Sequence, residues 1–437
     1  MKMKHDRRGF LKSTAMIAGA TAIGTTPIKS AFASSNDDTI KIALVGCGGR
    51  GTGAAFQALS TKQNVKIVAL ADTFRDRLDD CYTKLSTRFK DKVDIPEEHK
   101  FVGFDAYKKA IALADVVLLV TPPGFRPTHF AEAIKQNKHA FIEKPVAVDA
   151  PGVRQVLATA EEAKKKKLNV VVGLQRRYQN NYRDTIEQIQ GGAIGKIHSG
   201  QVYWNSGGVW VKPRTAEQTE MEYQMRNWYY FNWLCGDHIV EQHVHQLDVA
   251  NWVLGAYPVS AQGTGSRAWR TGKDYGEIYD NHAVEFTYAD GSVIYSQCRH
   301  FEGTSNRVDE TFQGTGGKVF LSASNSGILW DKDGKEIFSH AGKGDPNPYQ
   351  TEHDELFEAI AKGEYKFADA ERGAKSTFTG ILGRLATYSG KVLKWDEALA
   401  SNISLMPENL SWDALPKILP DENGLYPFAQ PGKTVVI

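Results

Sequence analysis

The sequence is poor in cysteine. Its 437 residues hold four (Cys47, Cys81, Cys235, Cys298), at spacings that match no metal-binding pattern. Four thiols in so long a chain also exclude a disulfide-stapled fold. Charge of one sign is lacking too: 53 Lys and Arg stand against 51 Asp and Glu, a formal net of +2. Six of the bases (Lys2, Lys4, Arg7, Arg8, Lys12, Lys29) and one acid (Asp6) fall in residues 1–33, so the remaining chain is mildly acidic. A mildly acidic body gives no support to a nucleic-acid partner. No apolar run is long and unbroken enough for a comfortable membrane anchor. There are no internal repeats. What is present, 41% hydrophobic and 24% charged residues, is the composition of a globular protein with length for two domains.

Residues 1–33 read as a targeting segment. Asp6-Arg7-Arg8-Gly9-Phe10-Leu11-Lys12 resembles the twin-arginine export signal. A weakly apolar stretch succeeds it, Ser13 to Thr26, and Ala31-Phe32-Ala33 fits a cleavage site. The expectation is export through the twin-arginine route, to the periplasm or otherwise outside the cytoplasm, with no membrane span once the signal is removed. The alternative is a basic N-terminal helix in a cytosolic protein.

The stretch Ile40–Gly51, I-K-I-A-L-V-G-C-G-G-R-G, organises the rest of the chain. An apolar run feeds into Gly46, Gly48 and Gly51, with Gly49 and Arg50 inside the turn, and a helix is predicted over Thr52–Ser60. A second apolar run, Val65–Ala71, ends at Asp72, about twenty residues on. This is the dinucleotide-binding arrangement. Gly46 permits the tight turn, Gly48 lets backbone approach a pyrophosphate, and Gly51 allows close helix–strand packing. The phosphates would sit on free N–H groups at the helix start. Asp72 can accept from a ribose diol and favours NAD, while Arg75 and Arg77 nearby leave NADP open. The alternative is a Gly-rich turn in some other α/β sheet.

Residues 39–174 alternate strand and helix, which predicts a parallel sheet covered on both faces, a Rossmann domain. Strands are expected at Ile40–Val45, Val65–Ala71, Val116–Val120, Ala140–Glu143 and Val170–Leu174. Ligands bind beyond the carboxyl ends of such strands. There stand Thr121-Pro122-Pro123-Gly124 and Glu143-Lys144-Pro145. Thr121, Pro122, Glu143 and Lys144 join the glycine turn and Asp72 as cofactor-site candidates. Arg126, Arg177 and Tyr178, close behind strand ends, are candidates for substrate binding.

From Lys196 the pattern changes. Ile197–Trp204, Asn281–Tyr288, Ser292–Cys298, Val308–Gly314, Lys318–Ser322 and Gly327–Trp330 read as strands, with hairpin turns at Ala289-Asp290-Gly291 and Lys332-Asp333-Gly334. Strands in succession predict an antiparallel sheet, hence an α+β second domain over 175–406. The late helices Tyr349–Ala361 and Glu371–Leu393 are expected to pack back on the first domain. Residues 407–437 read as an irregular tail. Residues 205–235 read as a long structureless loop rich in Trp, Tyr, Arg and Asn. Its aromatic faces and donors suit a carbohydrate, with Trp210, Arg226 and Trp228 as candidates, or else a subunit interface.

Gly236–Leu254 carries the densest chemistry. On a continuous helix Glu241, His245 and Asp248 share one face beside an apolar stripe of Val240, Val244, Leu247 and Leu254. A buried stripe of ionisable groups is costly unless paired. His245 beside a carboxylate is a candidate general base, and Asp248 a substrate ligand. The alternative is a satisfied polar network in a core helix. His243 and His245 also suggest a metal pair, but an H-x-H pair converges better on a strand than on a helix, so no metal is expected.

Glycine fingerprint, T-P-P loop, E-K-P motif, histidine-bearing helix and late sheet occur in the order found in the glucose–fructose oxidoreductase / inositol dehydrogenase / MocA family, which the chain resembles over nearly all residues after the signal. The resemblance implies a Rossmann domain, an open-faced antiparallel sheet domain and nicotinamide-dependent oxidation or reduction of sugar-like alcohols. It implies that Lys144 polarises the reacting hydroxyl and that Glu241, His245 and Asp248 stand where the family often has Asp-x-x-x-His-x-x-Asp. Glu241 replaces the usual Asp. A homo-oligomer is expected, with no nucleic-acid partner. Two other functions stay open: an NAD-dependent glycosidase acting by transient oxidation and elimination, and a non-catalytic sugar-binding protein.

Overall fold

In the computed structural model the described residues are 38–324 and 326–437, so the twin-arginine motif and the cleavage site lie outside the described residues. The first sheet arises from near-continuous apolar runs buried on both faces. Its strands are β1 (Ile40–Val45), β2 (Val65–Asp72), β3 (Lys100–Val102), β4 (Val116–Leu119), β5 (His139–Ile142) and β6 (Val170–Val172). All pair in parallel, in the order β3-β2-β1-β4-β5-β6. This is the doubly wound Rossmann order, with its switch point between β1 and β4. The sequence pattern does not reveal β3, because three residues carry too little of it. The first helix spans Gly49–Leu59, starting inside the glycine turn rather than at Thr52.

The second sheet has nine strands: β7 (Ile197–Ser206), β8 (Pro258–Ser266), β9 (Asn281–Tyr288), β10 (Val293–His300), β11 (Arg307–Gly314), β12 (Gly317–Ser322), β13 (Ser326–Asp331), β14 (Glu336–Ala341) and β15 (Leu393–Lys394). Their order is β14-β13-β12-β11-β7-β10-β9-β8-β15. The pairing is antiparallel except at the centre, where β7 and β10 run parallel. The sheet is thus mostly antiparallel, as expected, with one parallel pair at its centre. Both hairpin turns form as expected, with Gly291 and Gly334 at φ +85° and +81°.

Two further expectations are corrected. The loop at 205–235 is not structureless: it holds helices Glu220–Arg226 and Asn232–Cys235 and a 3₁₀ turn, Trp228–Tyr230. Its aromatic residues bury one another, with Tyr229, Tyr230, Phe231 and Trp233 in one cluster. The helix through the histidines is not continuous. His238–Glu241 ends at a turn over Gln242 and His243, and Val244–Leu254 begins anew. The helix Pro348–Ala361 packs against Gly49–Leu59, and Ala370–Ser389 against Ala150–Lys165. Residues after Leu399 form no regular element, and return to the first half of the chain. There Trp412 lies 5.2 Å from the Phe74 ring and 4.9 Å from that of Phe104.

Candidate active site

The carboxyl ends of β1, β4 and β5 open on one cavity of about 1170 Å³. Of the residues singled out in the sequence, Gly46, Gly48, Gly49, Arg50, Gly51, Asp72, Thr121, Pro122, Arg126, Glu143, Lys144, Trp210, Arg226, Trp228, Glu241 and His245 all line it. The glycines are required by contact. A Cβ on Gly51 would lie 1.8 Å from the Gly46 carbonyl oxygen, and one on Gly46, at φ +100°, would meet Thr121 N at 2.6 Å. Beside Gly49 there is open space. The helix from Gly49 has no side-chain cap and no acid in its first turn, so its free N–H groups face the cavity. These features fit a dinucleotide pyrophosphate. Asp72, at the end of β2, accepts from Cys47 N–H (2.6 Å) and Phe74 N–H (2.9 Å), which braces the turn. Burial pushes its carboxyl above the usual range against those two bonds.

Arg50 fastens this turn to the second candidate motif. Its Nε donates to Glu143 Oε1, its Nη1 to Gln57 Oε1 (2.9 Å), and its Cζ lies 5.0 Å from the Tyr349 ring centre. Burial works to raise the Glu143 carboxyl, but Arg50, Arg126 and Lys144 outweigh it and hold the group below its ordinary value. Glu143 Oε2 in turn accepts the Lys144 N–H (3.1 Å).

Lys144 stands two residues beyond β5. Its Nζ donates to the Glu241 carbonyl (2.5 Å) and to Glu241 Oε1 (2.9 Å), a pair with side chains only 12% and 9% exposed. The other oxygen, Oε2, is buried without a partner among the described residues. The break at Gln242–His243 turns His245 toward the cavity and His243 toward the sheet, where His243 Nε2 meets Ser296 Oγ at 2.7 Å. His245 is held neutral: burial first, then the Lys144 charge, push its pKa well below the imidazole range. Its Nδ1 is buried without a partner among the described residues, so Nε2 is the nitrogen with access to the cavity.

Three candidates lie elsewhere. Arg177 and Asp248 form a bidentate ion pair (2.7 and 2.9 Å), and Ser376 donates to the same carboxylate (2.7 Å). Tyr178 donates to Asp369 (2.9 Å) and is 2% exposed. None of the three lines the cavity, so they are corrected from substrate ligands to structural groups. The reason is that each is taken up by a protein partner, Asp248 by Arg177 and Ser376 and Tyr178 by Asp369. Arg126 lines the cavity but donates to the Pro145 carbonyl (2.5 Å), and burial brings its pKa down to about 10. Arg226 pairs with Asp76 (3.1 and 3.3 Å) and covers the Phe74 ring at 4.1 Å. Trp210 and Trp228 meet edge-to-face at 5.8 Å. Sequence reasoning missed Gln175, Arg176 and Trp204, which also line the cavity. The parity of β7, with Gly200 and Val202 facing inward, was the available signal for Trp204.

Among the described residues, Asp237, His238 and His282 place ligand-type atoms within 4.8 Å of one another. The carboxylate already accepts from Tyr388 OH (2.5 Å), the Tyr279 N–H (3.0 Å) and His238 Nδ1 (2.9 Å), so protein donors satisfy it.

The fold and this cavity define a nucleotide-binding α/β protein of the two-domain oxidoreductase class. The chain belongs to the Gfo/Idh/MocA oxidoreductase family: residues 40–173 match its NAD-binding Rossmann model and 182–320 a C-terminal domain model of the same family. An inositol 2-dehydrogenase of Burkholderia vietnamiensis is 31% identical over 231 residues, 51% of this chain and 57% of that protein. A glycosyl hydrolase family 109 protein of Shewanella pealeana is 25% identical over 217 residues, 46% of each chain. The chain thus spans about half the length of the curated relatives it matches. Solved structures share the fold. A levoglucosan dehydrogenase in complex with NADH and levoglucosan has a TM-score of 0.63 at 16% identity, covering 82% of this chain and 99% of its own. An aldose-aldose oxidoreductase from Caulobacter crescentus gives 0.62 at 17%, with the same coverage. No helix among the described residues is long and apolar enough to cross a membrane.

Proposed function

We propose that the protein is an exported oxidoreductase that oxidises a ring secondary hydroxyl of a sugar or glycoside, using NAD that it keeps tightly bound. The observation that carries this reading is the meeting of Lys144, Glu241 and His245 in the same cavity as the glycine turn. Bound nicotinamide supplies a hydride acceptor. His245 Nε2 takes the hydroxyl proton as the C–H bond breaks. The Lys144 ammonium, aimed by Glu241, stabilises negative charge on the substrate oxygen. Trp210 and Trp228 at the rim offer apolar faces to a sugar ring. Export rests on Arg7-Arg8 and Ala31-Phe32-Ala33. Outside the cytoplasm free NAD is scarce, so the nucleotide must travel with the folded protein and be reset on the spot, by a second sugar or by the same substrate. Self-association is proposed for the polar outer face of the second sheet, where Tyr295 is 39% exposed.

A second reading, a glycosidase that oxidises transiently and then eliminates, is favoured by the likeness to the glycosyl hydrolase family 109 protein. One experiment separates the readings. The protein purified from the periplasm is denatured and assayed for nicotinamide nucleotide, and the intact protein is incubated with a panel of glycosides. Bound NAD reduced by sugar, with a product lighter by two hydrogens, is the expected result; released aglycone supports the glycosidase. An empty protein that turns over only with about millimolar added NAD overturns tight retention. Changing Arg7 and Arg8 to lysine should leave the precursor in the cytoplasm.

A further inference from the structure

A histidine that takes a proton at Nε2 is ordinarily held by a hydrogen-bond acceptor at Nδ1, which fixes the tautomer and supports the charged ring. His245 has no such acceptor among the described residues. What it has is a ring. Trp204, on β7, lies 5.9 Å from the His245 ring centre at 23°, a stacked arrangement. The indole is itself anchored: its strand is central in the sheet, paired with Cys298 on β10 and Val308 on β11. On the same indole, the Arg176 guanidinium sits 6.0 Å from the ring centre and is fixed by Glu310 at 2.6 Å. The two acids near it along the chain are engaged elsewhere, Glu241 with Lys144 and Asp248 with Arg177.

We infer that Trp204 is the positioning residue for His245: its indole face, rather than a carboxylate, sets the ring's orientation and supports the imidazolium formed when the ring takes a proton. This deepens the proposed function and rests on that reading for its catalytic part. The physical basis is the ring quadrupole, which attracts a cation over the face and leaves a neutral imidazole held only by packing. Burial and the charges of Lys144, Arg176, His243 and Arg50 all disfavour the protonated ring, and Trp204 supplies an attractive face against them.

The test uses full-length protein in two arms. In the first, [15N]histidine labelling tracks the ring nitrogens, with the His245 signals assigned by their loss in His245→Asn. Wild type should show one tautomer and a ring neutral across the accessible pH range. Trp204→Leu, which keeps bulk without a π face, should show averaged nitrogen shifts, and Trp204→Phe should resemble wild type. In the second, the sugar identified by the glycoside panel is used to compare kcat with KM. Trp204→Leu should lose about 3- to 30-fold in kcat, and Trp204→Phe should recover most of it. Unchanged ring shifts in Trp204→Leu overturn the inference, as does a loss confined to KM, which would make Trp204 a sugar platform only. If no sugar is oxidised by wild type, the nitrogen shifts still decide the orientation claim while the proposed function fails separately.

Discussion

Lys144 is the residue on which the proposed chemistry turns, and its surroundings give the sharpest expectation. Lys144→Met removes a cation at the substrate oxygen and leaves Glu241 buried with no partner. Turnover should fall about 10²–10⁴-fold while nucleotide stays bound. The fold should also weaken by a few kcal/mol, since breaking a buried pair strands a charge. Glu241→Gln keeps an acceptor for Nζ and should cost far less on both counts. Steady-state rates beside thermal midpoints read both effects, and near-normal turnover in Lys144→Met would move the chemistry elsewhere. Lys144, Glu241 and His245 are legible in the sequence because each stands at a strand end or in an unusual run of ionisable residues. Arg177 and Asp248 mislead for a reason that spacing cannot show: they neutralise each other, so neither has charge left for a ligand. Strand parity puts Trp204 on the inward face of β7, but which element packs on that face is not in the spacing, and only the structure sets its ring against His245.

The helix Pro348–Ala361 lends the site a buried carboxyl. Glu352 is fully buried, neither of its oxygens has a hydrogen-bond partner among the described residues, and Arg50 Nη2 stands 3.6 Å away. Burial, then the Glu143 charge, push its pKa well above the ordinary 4.5. The folded chain therefore keeps a proton that the unfolded chain releases. Stability from this group is full below the unfolded value and is lost as pH rises toward the folded one, by at most about 1.4 kcal/mol per pH unit. Glu352→Gln keeps the neutral shape without the proton, so its advantage in thermal midpoint over wild type should grow from about pH 5 to about pH 8. A constant difference would mean that Glu352 ionises normally in the fold. Elements with strong period are readable to within a residue or two, as at Asn281–Tyr288. Pro258–Ser266 escapes notice because Gly263 and Gly265 dilute its alternation; each sits under a crossing backbone, where a Cβ would lie 2.5 Å from Ala283 O or 2.8 Å from Asn281 O. The break at Gln242–His243 is hidden because neither residue is a helix breaker; tertiary packing imposes it.

Across the whole molecule, residues after Leu399 bind back to earlier parts of the chain. Leu405 N–H donates to Asp149 Oδ2 (2.8 Å), and Tyr426 OH donates to Glu220 (2.6 Å). Trp412 backs Phe74 and Phe104, two walls of the cavity. Trp412→Ala should cost about 1–3 kcal/mol and speed the loss of bound nucleotide during gel filtration. Retention equal to wild type would show that the tail braces the fold without holding the cofactor. One more long-range tie bears on how the chain is made. The outer strand of the first sheet, β6, is not its true edge: Val170 N–H donates to the Phe367 carbonyl (3.0 Å), Asp369 N–H to the Val170 carbonyl (3.0 Å), and Asn169 reaches Glu364, 195 residues on. During synthesis that edge stays bare for about 10–40 s at ribosomal speed, a strand rim open to any neighbouring chain. The nucleotide half is thus a passenger that waits for the last quarter of translation before its rim is covered.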